Sequence, residues 1–131
     1  MESNLSTGLK GTQSKTVSSE DTAARYGSGL IEVFATPAMV ALMEMTAQLS
    51  VQPLLPEGHI TLGTGISVTH LKATPVGMKV FCDSVLIRAE GRKLTFSITA
   101  RDEQGLIGEG THQRSIVDAA RFMEKLRGQN H

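Results

Sequence analysis

Thr36-Pro37-Ala38-Met39-Val40-Ala41-Leu42-Met43-Glu44-Met45-Thr46-Ala47-Gln48-Leu49-Ser50-Val51 is the most apolar long segment of the chain, and the architecture follows from it. Thr36 is placed to cap a helix and Pro37 suits its first turn, because Pro lacks the N–H that would go unbonded there. Pro53 sets the far limit, since the residue before a proline is pushed out of the helical region. Between these limits the apolar residues run round most of the circumference, so the segment is expected to be a helix of about four turns buried in the core. Its single charge, Glu44, needs a partner, water or a raised pKa. One outlet is a narrow polar edge shared with Gln48, one turn on.

After the helix, Pro53–Gly58 reads as a turn segment, and from Thr61 onward the period changes from helical to two. Leu94, Phe96, Ile98 and Ala100 alternate with Lys93, Thr95, Ser97, Thr99 and Arg101, the pattern of a half-buried antiparallel strand. Breaks at Glu90-Gly91 and Glu103-Gln104-Gly105 have hairpin length. The expected strands are Thr61–Thr74, Met78–Ala89, Arg92–Asp102 and Leu106–Val117, read as a meander, followed by a terminal helix over Asp118–Arg127. Upstream, residues 1–18 read as a loose segment with a candidate first strand at Lys15–Ser18, and residues 19–131 as the domain proper. Asp21–Arg25 reads as one helical turn. Tyr26-Gly27-Ser28-Gly29 is a flexible joint into Leu30–Phe34, whose apolar residues either staple the helix entry or cover a pocket. One very apolar helix beside such a sheet implies an α+β hotdog fold, the sheet curled around the helix. The open sheet edge and helix flank make pairing of two copies the simplest remedy.

Composition narrows the function classes. The chain has 131 residues, with Lys+Arg and Asp+Glu both at 13. A neutral chain lacks the basic excess that nucleic-acid and membrane-surface partners require, so neither is expected. A single cysteine, Cys82, excludes an internal disulfide and, with four scattered histidines, any Cys-based zinc site. The first residues carry no apolar leader pattern, and a cytoplasmic protein is expected.

Strict alternation along Thr61–Thr74 places Leu62, Thr64, Ile66, Val68 and His70 on one face, toward the helix. An inward histidine is ordinarily a satisfied core residue. Glu44, however, also needs an inward partner, and one imidazole would serve both groups; a buried His–Glu couple also poises a general base. Thr36 and Glu44 are separated by about 12 Å along the helix axis. Either His70 bridges them or the site is assembled from two copies. Gly63 and Gly65 permit a close backbone approach to a ligand, so an N–H at Gly63, or one at the helix N-terminus, can hold an oxyanion; the alternative is a β-bulge that bends the sheet. His112 and Arg114 share a face leading toward solvent or a ligand, with Arg114 a candidate phosphate grip. Cys82 reads as a small buried filler.

The runs Val33-Phe34-Ala35-Thr36, Leu42-Met43-Glu44, Leu62-Gly63-Thr64, Val68-Thr69-His70, Ala73-Thr74-Pro75, Glu90-Gly91-Arg92 and Gly110-Thr111-His112 resemble the fluoroacetyl-CoA thioesterase group of hotdog proteins. The similarity spans about Glu32 to Arg127. It implies a homodimer that hydrolyses acyl-CoA, with the site near the subunit interface and CoA as part of the substrate; no metal or separate cofactor is implied. By position, the resemblance puts a Thr–Glu–His set on Thr36, Glu44 and His70, an oxyanion glycine on Gly63, and a site arginine on Arg114. Phe34 and Leu30 fall where the acyl group would be covered. The sequence departs from the group upstream of Val33, where Gly27 and Leu30 stand in place of the lid phenylalanines, so a different or broader short acyl group is expected. A hotdog dehydratase or hydratase, and a non-catalytic acyl-CoA-binding protein, are the alternative readings.

Overall fold

The computed structural model describes residues 5–128. Its elements are β1 (Lys10–Thr16), α1 (Ala23–Tyr26), α2 (Thr36–Val51), β2 (His59–His70), β3 (Lys79–Glu90), β4 (Lys93–Asp102), β5 (Gly105–Asp118) and α3 (Ala119–Gly128), with short 3-10 turns at Ser19–Asp21 and Gln52–Leu54. The five strands form one antiparallel sheet in the order β1-β3-β4-β5-β2. Among the described residues no helix is long and apolar enough to cross a membrane.

Only β3, β4 and β5 form the expected meander. The strand β2 pairs with β5, at the opposite side from β3, which corrects the sequential order. Residues 71–78 make that crossing. Eight residues reach about 26 Å when extended, ample for the roughly 14 Å across three strand spacings. Gly91, at φ 60, supplies the left-handed residue of the tight β3–β4 connection. β2 also ends at His70, four residues earlier than the expected Thr74.

β1 lies earlier and is longer than the Lys15–Ser18 expectation, and its pairing from Lys10↔Val85 to Thr16↔Lys79 orders much of the segment read as loose. The part of that reading covering residues 1–4 lies outside the described residues, as does the terminal His131. Gly11 explains why a polar strand closes here. A Cβ at this position would stand 2.6 Å from Ser50 Cβ and 2.8 Å from Ser84 Oγ, so glycine lets β1 pass close over α2.

The sheet's concave face supplies Val80, Cys82 and Leu86 from β3, Leu94, Phe96, Ile98 and Ala100 from β4, and Ile116 from β5. Against it α2 buries Ala38, Met39, Leu42, Met43, Ala47 and Val51. Each fully buried Leu or Met side chain contributes roughly 1.5–3 kcal/mol, so this face holds the domain together. The Cys82 thiol is part of this core, and burial pushes its pKa up to about 11. The helix is not covered all round. Thr36, Pro37, Ala41, Met45 and Leu49 form an exposed stripe at helical spacing, with Met45 and Leu49 at 41% and 42% exposure. The fold is therefore the α+β arrangement expected, a curled sheet round one long helix, with one apolar flank of the helix left open in the single chain.

Candidate active site

The side chain of Thr36 does not cap α2. The cap position is Ala35 and no side chain caps the first turn, while Pro37 occupies the second helical position. The Thr36 hydroxyl is thereby free, and its Oγ1 lies 2.8 Å from His70 Nδ1. The first bond of the helix runs from Met39 N–H to the Ala35 carbonyl, so the Thr36 and Ala38 N–H groups precede the intrahelical ladder at the same spot.

His70 is the last residue of β2 and stands half-buried. Burial pushes its pKa below the ordinary 6.5, opposed by the Lys72 backbone. A neutral imidazole beside a hydroxyl is the state a general base needs. Thr36 and His70 line a cleft of about 380 Å³ together with Phe34, Ala35, Leu71 and Lys72. Phe34 forms part of its wall from within the core. Leu30, expected to cover the acyl group, does not line this cleft in the single chain and is 96% exposed. Gly27, at φ 76, ends α1 in the left-handed region, and the segment beyond it leads Leu30 outward.

Glu44 belongs to a second group. Its Oε1 lies 3.8 Å from Arg114 Nη1, and its side chain keeps 43% exposure. A Cβ on Gly63 would stand 2.8 Å from the same oxygen, so this glycine backs directly onto the carboxylate. The register shift between Gly63 and Gly65 produces that placement. Before it, Thr61 points inward and is buried; after it, the half-buried Ile66, Val68 and His70 point inward. Strict alternation had set Gly63 and His70 on opposite faces, and the bulge brings both to the side of α2.

Arg114 is 7% exposed, and its guanidinium is already engaged. Nε donates to Thr61 Oγ1 at 2.7 Å, Nη2 to the Thr61 carbonyl at 3.0 Å, and Nη1 to His112 Nε2 at 3.0 Å. With these donors committed, the side chain is arranged to brace Glu44 and not to grip a phosphate. His112 is buried as well, so of the two expected outlets for its face, solvent or a ligand, solvent is excluded. A register shift between Ala100 and Arg101 sends Leu106 outward and leaves His112 and Arg114 inside.

A third polar cluster escaped the sequence reading. Buried Asp102 on β4 accepts from Thr74 Oγ1 at 2.9 Å and the Gln104 N–H at 2.8 Å, and it pairs with Lys72 Nζ at 3.6 Å. The Thr74 carbonyl in turn accepts the Phe34 N–H at 2.8 Å, so Asp102 ties down two sides of the cleft. An aspartate ending an apolar strand carries no sequence signal of this role. Among the described residues, no group of three or more His, Cys, Asp or Glu is placed to hold a metal ion.

Within one chain, then, Thr36 and His70 meet, Glu44 meets Gly63 and Arg114, and His70 does not bridge the two groups. Comparison with known proteins adds the family context. Residues 17–120 match the family model described as FlK, fluoroacetyl-CoA-specific thioesterase. The fluoroacetyl-CoA thioesterase of Streptantibioticus cattleyicolor is 43% identical over 96 residues, covering 73% of this chain and 69% of that protein. The solved structure of the fluoroacetyl-CoA thioesterase FlK superposes with a TM-score of 0.91 at 34% identity, covering 98% of this chain and 99% of that one. A point mutant of FlK solved in complex with fluoroacetate and CoA gives 0.85 at 35% identity, over 90% and 99% of the two chains.

Proposed function

We propose, from the premise that the chain belongs to the fluoroacetyl-CoA-specific thioesterase family, a mechanism by which this acyl-CoA thioesterase uses the two groups of residues described above. The observation that carries it is the 2.8 Å contact between Thr36 Oγ1 and His70 Nδ1 at the cleft.

His70 Nδ1 takes the proton from Thr36 Oγ1 as that oxygen attacks the thioester carbonyl. The C–S bond breaks, the proton passes from the imidazolium to the CoA sulfur, and the acyl group is left as an ester on Thr36. Water then attacks the ester while His70 accepts its proton; the bond from the carbonyl carbon to Oγ1 breaks, the imidazolium returns that proton to Thr36 Oγ1, and the free acid leaves. Direct attack by a water held on His70 is the competing route. Hydroxyl and imidazole already in contact favour Thr36.

Glu44 completes this site from a second copy. In its own chain it lies about 12 Å along the helix from Thr36. The exposed stripe of α2 and the outer edge of β2 supply the surface on which two copies meet, with both helices' open flanks covered. There, Glu44 of the partner subunit stabilises the imidazolium by its charge and holds the attacking water. The backbone at Gly63, or the free N–H groups opening α2, receives the oxyanion. CoA enters only as part of the substrate. The lid aromatics are replaced and Leu30 points outward, so the acyl group is a short one, not restricted to fluoroacetyl.

Mixing T36A and E44A subunits tests the shared site. Each variant alone is inactive. If Thr36 and Glu44 act across the interface, random re-pairing restores about a quarter of wild-type thiol release, because half the dimers are mixed and each has one intact site. No recovery from verified mixed dimers would place both groups in one chain.

A further inference from the structure

His112 is 1% exposed, yet both of its ring nitrogens are occupied. Nδ1 lies 2.8 Å from the Gly65 carbonyl, which can only accept, so Nδ1 carries the proton. Nε2 lies 3.0 Å from Arg114 Nη1, which can only donate, so Nε2 is the lone pair. The geometry therefore specifies one neutral tautomer. The same Nη1 that donates to His112 faces Glu44 Oε1 at 3.8 Å. His112, Arg114 and Glu44 form a line from the bulge of β2 to the half-exposed face of α2.

We infer that His112 is a positioning residue for Glu44, acting through Arg114: its neutral ring, as acceptor, holds the guanidinium against the carboxylate, and its protonation releases that hold. This rests on the role of Glu44 given above. The groups facing the imidazole are Arg114 on its own strand, Glu44 from α2, the Gly65 carbonyl from β2 and the Phe96 ring from β4, at 6.3 Å between centroids. A proton on Nε2 would set two donors and two positive charges 3.0 Å apart in a buried site, and Arg114 Nη1 has to move. The guanidinium is one rigid plane, so moving Nη1 off His112 tilts the whole group against its two bonds to Thr61 and shifts the nitrogen that faces Glu44. Burial, with Arg114 next to it, keeps the His112 pKa below the ordinary 6.5 against the pull of the Gly65 carbonyl and Glu44, so the neutral form is the working one.

The test is the acid limb of kcat/KM for thiol release from a short acyl-CoA. In wild type both His70 and His112 must be neutral, so the log–log slope below their pKa values approaches about 2. H112Q, whose amide oxygen still accepts from Arg114 but cannot titrate, should keep activity within a few-fold while its slope falls to about 1. H112L removes the acceptor and should lower kcat by about 10- to 100-fold with little change in KM. A wild-type slope of about 1, or a slope unchanged in H112Q, overturns the inference. Nitrogen NMR of the wild-type imidazoles gives an answer that needs no turnover and no variant. The expected result is the Nδ1–H form of His112, with the Arg114 and Glu44 signals shifting as it protonates. The opposite tautomer, or signals that ignore its titration, overturns the inference. Wild type that releases thiol from no acyl-CoA would instead sink the proposed function, leaving the NMR result to decide His112.

Discussion

Thr36 Oγ1 stands 2.8 Å from His70 Nδ1, joining the first turn of α2 to the last residue of β2. Neither residue serves its own element there: the hydroxyl leaves the helix uncapped, and the imidazole ends the strand. Such a contact is expected to matter for turnover and little for stability. H70A should lose about 100- to 10,000-fold in kcat while its melting temperature stays close to wild type. T36A should abolish any acyl adduct on the peptide containing residue 36, read by mass spectrometry after rapid quench. An adduct found elsewhere would name a different side chain as nucleophile, and undiminished thiol release in T36A with no adduct would return the attack to water.

Gly63 and Gly65 sit two residues apart at the same bulge, yet substitution at each should have a different outcome. An added Cβ at Gly63 meets Glu44 Oε1 at 2.8 Å, whereas at Gly65 it meets Gln113 Oε1 at 2.9 Å. Both obstacles are the ends of flexible side chains, so both variants should fold. G63A displaces the carboxylate and should lower kcat by about 100-fold. G65A should stay near wild type. Equal losses in the two would count against a particular role for Gly63.

Gly110 is a test of the fold. A Cβ there would collide with the Ser67 carbonyl and stand 2.8 Å from Val68 Cα, backbone that cannot give way without parting β5 from β2. G110A should be recovered poorly or melt well below wild type. Normal stability by calorimetry would show that this strand pair is not packed as described.

Met45 and Leu49 should mark the surface where copies meet. Neither supports the core of its own chain, so M45K with L49K is expected to leave a folded protein. Sedimentation should show a monomer, and thiol release should fall together with the dimer. A double variant that remains dimeric and active would remove the shared-site mechanism.

Acid should weaken the fold in two ranges. Burial alone would raise the carboxyls of Asp21 and Asp102. Hydrogen bonds and lysine partners (Lys15 for Asp21, Lys72 with Thr74 and Gln104 for Asp102) outweigh it and hold both below the ordinary 3.8. The unfolded chain therefore takes up these protons first, and this contribution, complete above the ordinary value, is lost as pH falls through the folded pKa values. His70 and His112, also held below their ordinary 6.5, add a milder loss that begins as pH drops under that value. Melting temperature followed from pH 7 downward should show both phases. D102N should cost about 1–3 kcal/mol at neutral pH and flatten the lower phase.

Elements whose local pattern and burial agree were legible from the residues alone. In α2 the apolar run and its prolines mark a helix, and in β4 the alternation from Lys93 to Arg101 marks a half-buried strand. The sequence also singled out Glu44, His70 and Gly63, because a lone carboxylate, an inward histidine and paired glycines are each costly without a purpose, while Thr36 read as a helix cap and entered the site through the family resemblance. How these residues are grouped depends on the three-dimensional packing. Period-two reading cannot see a bulge: one extra residue at Gly63/Gly65 turned Thr61 and Gly63 inward, and another at Ala100/Arg101 buried His112 and Arg114. Strand order and the closure of β1 depend on long-range packing, where Gly11 against Ser50 weighs more than the polar composition of Lys10–Thr16. An open flank of α2 was expected, but not which residues form it, since Met45 and Leu49 are as apolar as the buried Leu42 and Met43 beside them.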